Sequence, residues 1–295
     1  MDQNATIDPQ NSFSELTARP GRRAFLSGSL GLGFAAAVQP VSAQTIHTPE
    51  DGLVAGEVKV PSLGVEIPAY RAMPAGTGPF PTVLVIQEIF GVHEHIRDVC
   101  RRLAKLGYYA IAPELFARQG DPAKADIKTI VSTIVPAVPD KQVLDDLDNT
   151  VAFAKGSGAA DTARLGAIGF CWGGRQIWLY AAHRPDMRAA VAFYGILGGK
   201  ASPPSPIKPT NPLDIAATIK VPVLGLYGGK DDNIPIALVD EMRGGLKGAG
   251  SPSDIIVYPD TPHGFFADYR PSYAPGAAKD AWSRATAWLK THGAA

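Results

Sequence analysis

The chain contains very little cysteine and has no excess of charge of either sign. Its 295 residues include two cysteines, and its 28 basic and 28 acidic side chains give a formal net charge of zero. Two cysteines cannot supply a disulfide framework or a four-thiolate metal site. Balanced charge gives no general electrostatic reason to bind nucleic acid or an anionic membrane. These absences leave an ordinary globular protein, large enough to bury a substantial α/β core.

The sequence also lacks an apolar run long enough to cross a bilayer. The apolar stretch that begins at Ala24 ends at Val38, short of the roughly 20 residues that a membrane span needs. Two arginines, Arg22 and Arg23, precede this stretch, and the small-residue segment 41–43 follows it. The pattern is that of a signal peptide and resembles a twin-arginine export signal.

We therefore expect residues 1–43 to be a signal peptide and residues 44–295 to form a single domain. The expected location is periplasmic or secreted, or cytoplasmic if the signal is not used. We expect no stable membrane association, no nucleic-acid partner and a monomeric chain.

Strand and helix patterns alternate along the rest of the sequence. Residues 56–74 alternate apolar and polar side chains around a turn, which predicts a hairpin. Buried strands are predicted at 82–87, 108–113, 164–170, 188–195, 221–228 and 254–259, and helices at 93–107, 141–158, 172–183, 235–248 and 279–293. Such alternation predicts an α/β fold with a mainly parallel sheet and helices on both faces.

One cysteine occupies a position that favours a nucleophile. Cys171 is the centre of the segment "GFCWG" between a predicted strand and a predicted helix. This arrangement is similar to the G-x-S-x-G elbow, in which a tight turn raises a nucleophile above the sheet edge. The helix N-terminus would favour the thiolate, and the Trp172 amide would face an oxyanion formed on the substrate.

An acid and a histidine follow the cysteine in the order that such an elbow requires. Asp231 lies in "GGKDDNIP" after one predicted strand, and His263 lies in "PDTPHGF" after the next. Nucleophile, acid, then histidine is the chain order of α/β hydrolases. The adjacent Asp232 remains an alternative for the acid.

Glu88 ends the apolar strand "TVLVIQE", where we find no structural role for a carboxylate. At that strand end it could reach the Cys171 thiol across the cleft. The backbone amide of Ile89 is then in the right loop to be a second oxyanion donor.

Five ordered motifs, "QEIFGVHEHIRD", "LFARQG", "GFCWGG", "GGKDDNIP" and "PHGFF", make residues 56–292 resemble the dienelactone hydrolase family. The resemblance implies an α/β-hydrolase fold and hydrolysis of esters or lactones without cofactor or metal. It implies a Cys171–His263–Asp231 triad and favours Asp231 over Asp232. It also implies that Glu88 engages the cysteine and that Arg118 helps to hold a substrate carboxylate.

The chain departs from the family pattern at one arginine. The best-known members have a second arginine four residues after the triad histidine, where this chain has Ala267. Arg270 is a candidate replacement. Because arginine grips carboxylates bidentately, loss of one arginine would broaden the recognition of acids.

Other interpretations remain open at this stage. Cys171 could form a disulfide with Cys100, although Cys100 falls on the apolar face of its predicted helix. His93 and His95 invite a metal site, but solvated residues at a helix start fit their spacing better. The function could also be that of a general esterase, an acyltransferase or a non-catalytic binding homologue.

The export prediction can be tested by cell fractionation. The full chain should accumulate outside the cytoplasm, and the double variant Arg22→Lys/Arg23→Lys should remain inside, because the paired arginines are the predicted signal. Immunoblots of periplasmic and cytoplasmic fractions measure this. Equal distribution of the two chains would contradict the prediction.

Overall fold

The structure is a computed structural model that describes residues 45–295, so the predicted signal peptide lies outside the described residues. An eight-stranded sheet forms its centre. The strands are β1 (Leu53–Ser62), β2 (Val65–Pro74), β3 (Phe80–Ile86), β4 (Tyr109–Pro113), β5 (Ala160–Phe170), β6 (Ala189–Phe193), β7 (Val223–Gly228) and β8 (Asp254–Tyr258). Their order in the sheet is β1-β2-β4-β3-β5-β6-β7-β8.

Only the hairpin end of this sheet is antiparallel. Strand β1 pairs with β2, and β2 with β4, in antiparallel register, while every other pairing is parallel. The hairpin turn is Leu63-Gly64, with φ of 48° and 80°. Two successive residues with positive φ match the right-handed twist of the flanking strands, which is why a two-residue turn closes the predicted hairpin.

Five longer helices connect the parallel strands. They are α1 (Glu94–Lys105), α2 (Asp140–Gly156), α3 (Trp172–His183), α4 (Ile236–Gly248) and α5 (Pro275–Thr291). Shorter helical turns occupy Pro122–Lys124, Ile127–Thr129, Ile130–Ile134, Val135–Ala137, Gly199–Ala201, Pro212–Ile215 and Ala216–Thr218. Helix α1 stops before Gly107, whose φ of 97° favours glycine and ends the helix as predicted.

The central strands are buried on both faces, which confirms the predicted α/β class. Every residue of β4, β6 and β7 is buried. Since alternate side chains point to opposite faces, both faces must be covered. Strand β5 begins at Ala160, earlier than predicted, because a register shift beside Pro81 lets its first residues pair with β3.

The candidate functional residues follow four parallel strands of this sheet. Glu88 comes after β3, Cys171 directly after β5, Asp231 after β7 and His263 after β8. Parallel strands end at the same edge, so the topology brings these residues to one edge of the sheet. Within residues 45–295, no helix is long and apolar enough to cross a membrane.

Because α3 packs closely against the end of β3, a side chain added at Gly173 should destabilise the fold. A Cβ on Gly173 would lie 2.4 Å from the carbonyl oxygens of Ile86 and Gln87. Gly173→Ala should therefore lower the free energy of unfolding by at least about 2 kcal/mol, measured by urea denaturation. Gly244→Ala is the matched control, since its Cβ would meet open space and should be neutral or stabilising by up to about 1 kcal/mol. Equal urea midpoints for Gly173→Ala and the unmodified chain would contradict the packing argument.

Candidate active site

Cys171 sits on a strained turn between β5 and α3. Its φ of 55° and ψ of −114° are unusual for a residue with a side chain. The Cys171 N–H donates to the carbonyl of Phe193 over 3.0 Å, and its carbonyl accepts from the N–H of Arg175 over 3.2 Å. Strain of this kind costs about 1–3 kcal/mol and persists only where the surroundings impose it. The two backbone hydrogen bonds are part of that constraint.

The flanking glycines are required because the turn leaves no room for side chains. A Cβ on Gly169 would lie 2.5 Å from the carbonyl oxygen of Gly173. Gly173 itself packs directly against the backbone at the end of β3. The elbow predicted from "GFCWG" is therefore present, with the sulfur at the N-terminus of α3.

The acid of the candidate triad is Asp231. Its Oδ2 lies 2.7 Å from Nδ1 of His263, and its Oδ1 accepts the N–H groups of Asn233 and Ile234 over 2.9 and 3.2 Å. Asp231 is buried, whereas the neighbouring Asp232 is exposed. The geometry therefore favours Asp231 for the acid position that the sequence left open.

His263 links this carboxylate to the cysteine. Its imidazole interacts with the side chain of Cys171 as well as with Asp231. Burial lowers the pKa of His263, but the negative charges of Cys171 and Asp231 outweigh burial and raise the pKa to about 10. The arrangement thus favours a proton on the imidazole, between the Asp231 carboxylate and the Cys171 sulfur.

The two predicted oxyanion donors both have uncommitted amides. Trp172 is the first residue of α3, so its N–H has no partner one turn back in the helix. Ile89 lies in the loop that follows β3. Within residues 45–295, neither amide donates to a backbone acceptor outside the regular helices and strands. Both are available to a developing negative charge.

The carboxylate of Glu88 faces other partners than the cysteine. Its Oε2 accepts a hydrogen bond from the hydroxyl of Tyr269 and lies 3.4 Å from Nε2 of His93. Its Oε1 lies 3.4 Å from a guanidinium nitrogen of Arg270. Among the described residues, no hydrogen bond joins Glu88 to Cys171. The predicted engagement of the thiol by Glu88 is not present in this arrangement.

Glu88 is held in its charged form. Burial raises the pKa of this carboxyl, but the Arg270 charge and the His93 contact outweigh burial and hold the pKa well below its usual range. The pairing with Arg270 thus favours the charged carboxylate.

Arg270, the candidate replacement for the second arginine, lies against Glu88. Its side chain is buried, its guanidinium lies 4.9 Å from the centre of the Phe90 ring, and its Nε donates to the Tyr269 hydroxyl over 3.1 Å. Ala267, where the family pattern has arginine, is fully buried. The structure brings Arg270 to Glu88, beside the cysteine.

Arg118 is placed differently. Its guanidinium binds both carboxylate oxygens of Asp146, at 2.8 and 3.1 Å, and the carbonyl of Ser62 at 2.8 Å. None of these contacts reaches the triad. The predicted role of Arg118 in holding a substrate carboxylate stays a prediction.

Both cysteines are thiols, so the alternative disulfide between Cys100 and Cys171 is wrong. Cys100 is fully buried on α1, and burial raises the pKa of its thiol well above the usual range. This thiol is chemically quiet.

The two histidines of "VHEHI" are not the solvated helix-start residues that their spacing predicted. The side chain of His95 is fully buried, and that of His93 is 23% exposed. His93 is the N-cap of α1 with an extended backbone, so helical spacing does not apply to the pair. Among residues 45–295, no group of three His, Cys, Asp or Glu side chains could hold a metal ion.

The sheet order and the sharp turn after β5, with Cys171 at its centre, define an α/β-hydrolase fold. The family model for the dienelactone hydrolase family matches residues 67–293. The chain belongs to the dienelactone hydrolase family and is a hydrolase.

Similar proteins agree with this assignment. A protein of Methylorubrum extorquens, provisionally named a carboxymethylenebutenolidase, is 59% identical over 276 residues, which cover 93% of this chain and 94% of that protein. A protein of the same provisional name from Escherichia coli K12 is 53% identical, over 88% of this chain and 96% of its own. A crystal structure of a provisionally assigned dienelactone hydrolase from Klebsiella pneumoniae matches with a TM-score of 0.78 and 53% identity, covering 81% of this chain and 98% of its own.

The contrast between the two cysteines predicts single-site alkylation. Cys100 and Cys171 are both buried, but within residues 45–295 the Cys171 side chain contacts an imidazole, that of His263, which can accept its proton. Native protein treated with iodoacetamide at neutral pH should therefore gain one carbamidomethyl group, on Cys171. Intact-mass spectrometry measures the uptake. Cys171→Ala should gain none, and the matched control Cys100→Ala should still gain one. Equal labelling of both thiols would contradict this account of the site.

Proposed function

We propose that this protein hydrolyses carboxylic ester or lactone bonds of small molecules through an acyl-enzyme on Cys171. The observation that carries the proposal is the contact chain from Asp231 through His263 to a sulfur on a strained elbow. Membership of the dienelactone hydrolase family supports the same reaction class. The names of the similar carboxymethylenebutenolidases support a lactone substrate.

The first half of the reaction forms a thioester. The Cys171 thiolate attacks the carbonyl carbon, a C–S bond forms, and the carbonyl electron pair moves to oxygen. The amides of Trp172 and Ile89 are suited to stabilise that oxyanion. When the oxyanion collapses, the C–O bond breaks and the proton of His263 passes to the leaving oxygen. With a lactone, the leaving oxygen stays on the acyl chain because the ring opens.

The second half restores the enzyme. Neutral His263, still oriented by Asp231, takes a proton from water, and the resulting hydroxide attacks the thioester carbonyl. The C–S bond breaks, the carboxylic acid product leaves, and the thiolate beside protonated His263 is regenerated. Protons and electrons balance over the cycle without a cofactor.

Arg270 bears on the choice of substrate. Its buried Nη2 makes no hydrogen bond within residues 45–295 and lies 3.4 Å from Oε1 of Glu88. A substrate carboxylate that took the place of Glu88 would give this nitrogen a hydrogen-bond acceptor. The name carboxymethylenebutenolidase describes such a substrate for the similar proteins, a butenolide ring with a carboxymethylene group. We propose an acidic enol-lactone as the substrate class.

We also propose that the enzyme acts outside the cytoplasm. The arginine pair, the short apolar run and the small residues that precede position 44 support this location.

Steady-state kinetics with a dienelactone and a neutral p-nitrophenyl ester test the proposed reaction. The unmodified chain should hydrolyse the dienelactone, and Cys171→Ser should lose at least about 100-fold in kcat, because a serine hydroxyl lacks the acidity of the thiol. Cys100→Ser is the matched control and should keep full activity. Full turnover by Cys171→Ser, or by Cys171→Ala, would overturn the mechanism.

The pH dependence of activity in the same assay tests the protonation state of His263. The raised pKa of His263 means that the protonated imidazole persists through neutral pH and is lost only as pH rises toward about 10. Activity should therefore decline on the alkaline side near that value, with the midpoint belonging to the Cys171–His263 pair rather than to either group. An alkaline decline centred near pH 7 would contradict this assignment.

A further inference from the structure

A second histidine–carboxylate pair lies beside the active site and takes no part in the proposed chemistry. Nδ1 of His95, on α1, lies 2.9 Å from Oδ1 of Asp268, and both side chains are fully buried. Arg102 of the same helix donates to the other oxygen of Asp268 over 2.7 Å. The pair thus ties the segment after His263 to α1.

The chemistry of this pair fixes the position of the histidine proton. An ionised carboxylate only accepts hydrogen bonds, so Nδ1 of His95 carries the proton that Asp268 receives. Burial raises the pKa of Asp268, but the hydrogen bonds and charges of His95 and Arg102 outweigh it and keep the pKa lowered. The opposite atom, Nε2 of His95, has no hydrogen-bond partner within residues 45–295.

Several aromatic rings pack around His95. Ring centres of Phe170, Phe266 and Tyr269 lie 6.0, 5.7 and 5.5 Å from its own. The ring of His93 also stacks on that of His95, with centres 6.1 Å apart. Within residues 45–295, Asp268 is the hydrogen-bond partner of the His95 imidazole, whereas His263 contacts the Cys171 side chain as well as its carboxylate.

Asp268 immediately precedes the two side chains that hold Glu88. Tyr269 donates its hydroxyl proton to Glu88 and accepts the Nε–H of Arg270 over 3.1 Å. The Arg270 guanidinium lies 3.4 Å from Glu88. An anchor at Asp268 limits how far the next two residues can move, so it sets where both donors meet the carboxylate.

The position of Glu88 affects the position of the second candidate oxyanion donor. Its neighbour Ile89 supplies the second candidate amide, and the loop closes with a bridge between Glu88 and Gly91. A small rotation of this loop would move the amide away from the developing charge. Displacements of about 1 Å at such donors can cost about 100-fold in rate.

We propose that the His95–Asp268 pair positions Tyr269 and Arg270 against Glu88, and thereby the Ile89 amide and the Arg270 charge beside Cys171. His95 is a positioning residue: it contacts Asp268 and affects the reacting groups only through the residues that Asp268 holds in place. The inference rests on the proposed function for its kinetic consequence, while its effect on the thiol is independent of turnover.

Two substitutions at His95 separate the hydrogen bond from the ring. His95→Phe keeps a ring that suits the aromatic surroundings but removes the donor to Asp268. His95→Asn places an amide N–H near the position of Nδ1 and keeps the donor. His183, which pairs with Asp148 on the surface, gives the matched control His183→Phe.

The expected kinetic result is a loss of kcat that the conservative variant restores. With the neutral p-nitrophenyl ester, which has no carboxylate for Arg270, His95→Phe should lower kcat about 10- to 100-fold with little change in KM, because the oxyanion contact exists only in the transition state. His95→Asn should stay within about threefold of the unmodified chain, and His183→Phe should be unchanged. Equal kcat for His95→Phe and the unmodified chain, or equal loss in His95→Phe and His95→Asn, would overturn the proposal.

The rate of iodoacetamide alkylation at pH 7 provides a readout that needs no turnover. Displacement of Arg270 removes a cation near the Cys171 thiolate, so His95→Phe should react several-fold more slowly and His95→Asn should not. If the unmodified chain hydrolyses no ester or lactone, the proposed function fails, and the alkylation rate of His95→Phe relative to that of the unmodified chain alone decides the positioning role. Equal alkylation rates for these two chains would then overturn the proposal. His95→Leu, smaller and also without a donor, replaces His95→Phe if thermal unfolding shows that the latter does not fold.

Discussion

The backbone conformation of Cys171 is the constraint on which the rest of the site depends. A non-glycine residue at a φ of 55° is unfavourable, and the structure sustains it through hydrogen bonds to β6 and to the first turn of α3. The same turn presses Gly173 onto the end of β3. This contact brings the loop of Glu88 and Ile89 beside the sulfur. One strained residue thus sets the spacing between nucleophile, helix amide and second oxyanion donor.

The arrangement of the sheet was readable from the sequence because its signals are local. Runs of apolar residues marked the buried strands, and glycines marked the ends of helices. The topology of parallel strands then forces Cys171, Asp231 and His263 to one edge, whatever the details of the loops. The local pattern left Asp231 and Asp232 both open, and only the family resemblance favoured Asp231, because the choice depends on which carboxylate the turn after β7 directs inward.

The ion pairs between residues far apart in the sequence could not be predicted from the sequence. Glu88 and Arg270 are 182 positions apart, and no local pattern pairs a strand-end carboxylate with an arginine in a late loop. The interpretation of His93 and His95 failed for a related reason. Helical spacing was applied to residues that straddle the start of α1, and the aromatic and acidic partners that bury His95 come from the C-terminal segment.

Two histidine–carboxylate pairs in one site show that the pair itself does not define a function. In each pair an oxygen of the carboxylate accepts from Nδ1, and the carboxylate is further fixed by neighbours, two backbone amides at Asp231 and Arg102 at Asp268. What differs is the environment of the opposite side of the ring. The imidazole of His263 contacts the Cys171 side chain, whereas Nε2 of His95 has no hydrogen-bond partner within residues 45–295 and its ring packs against other rings. The first pair is therefore suited to the proton transfers of the proposed reaction, and the second to holding a position.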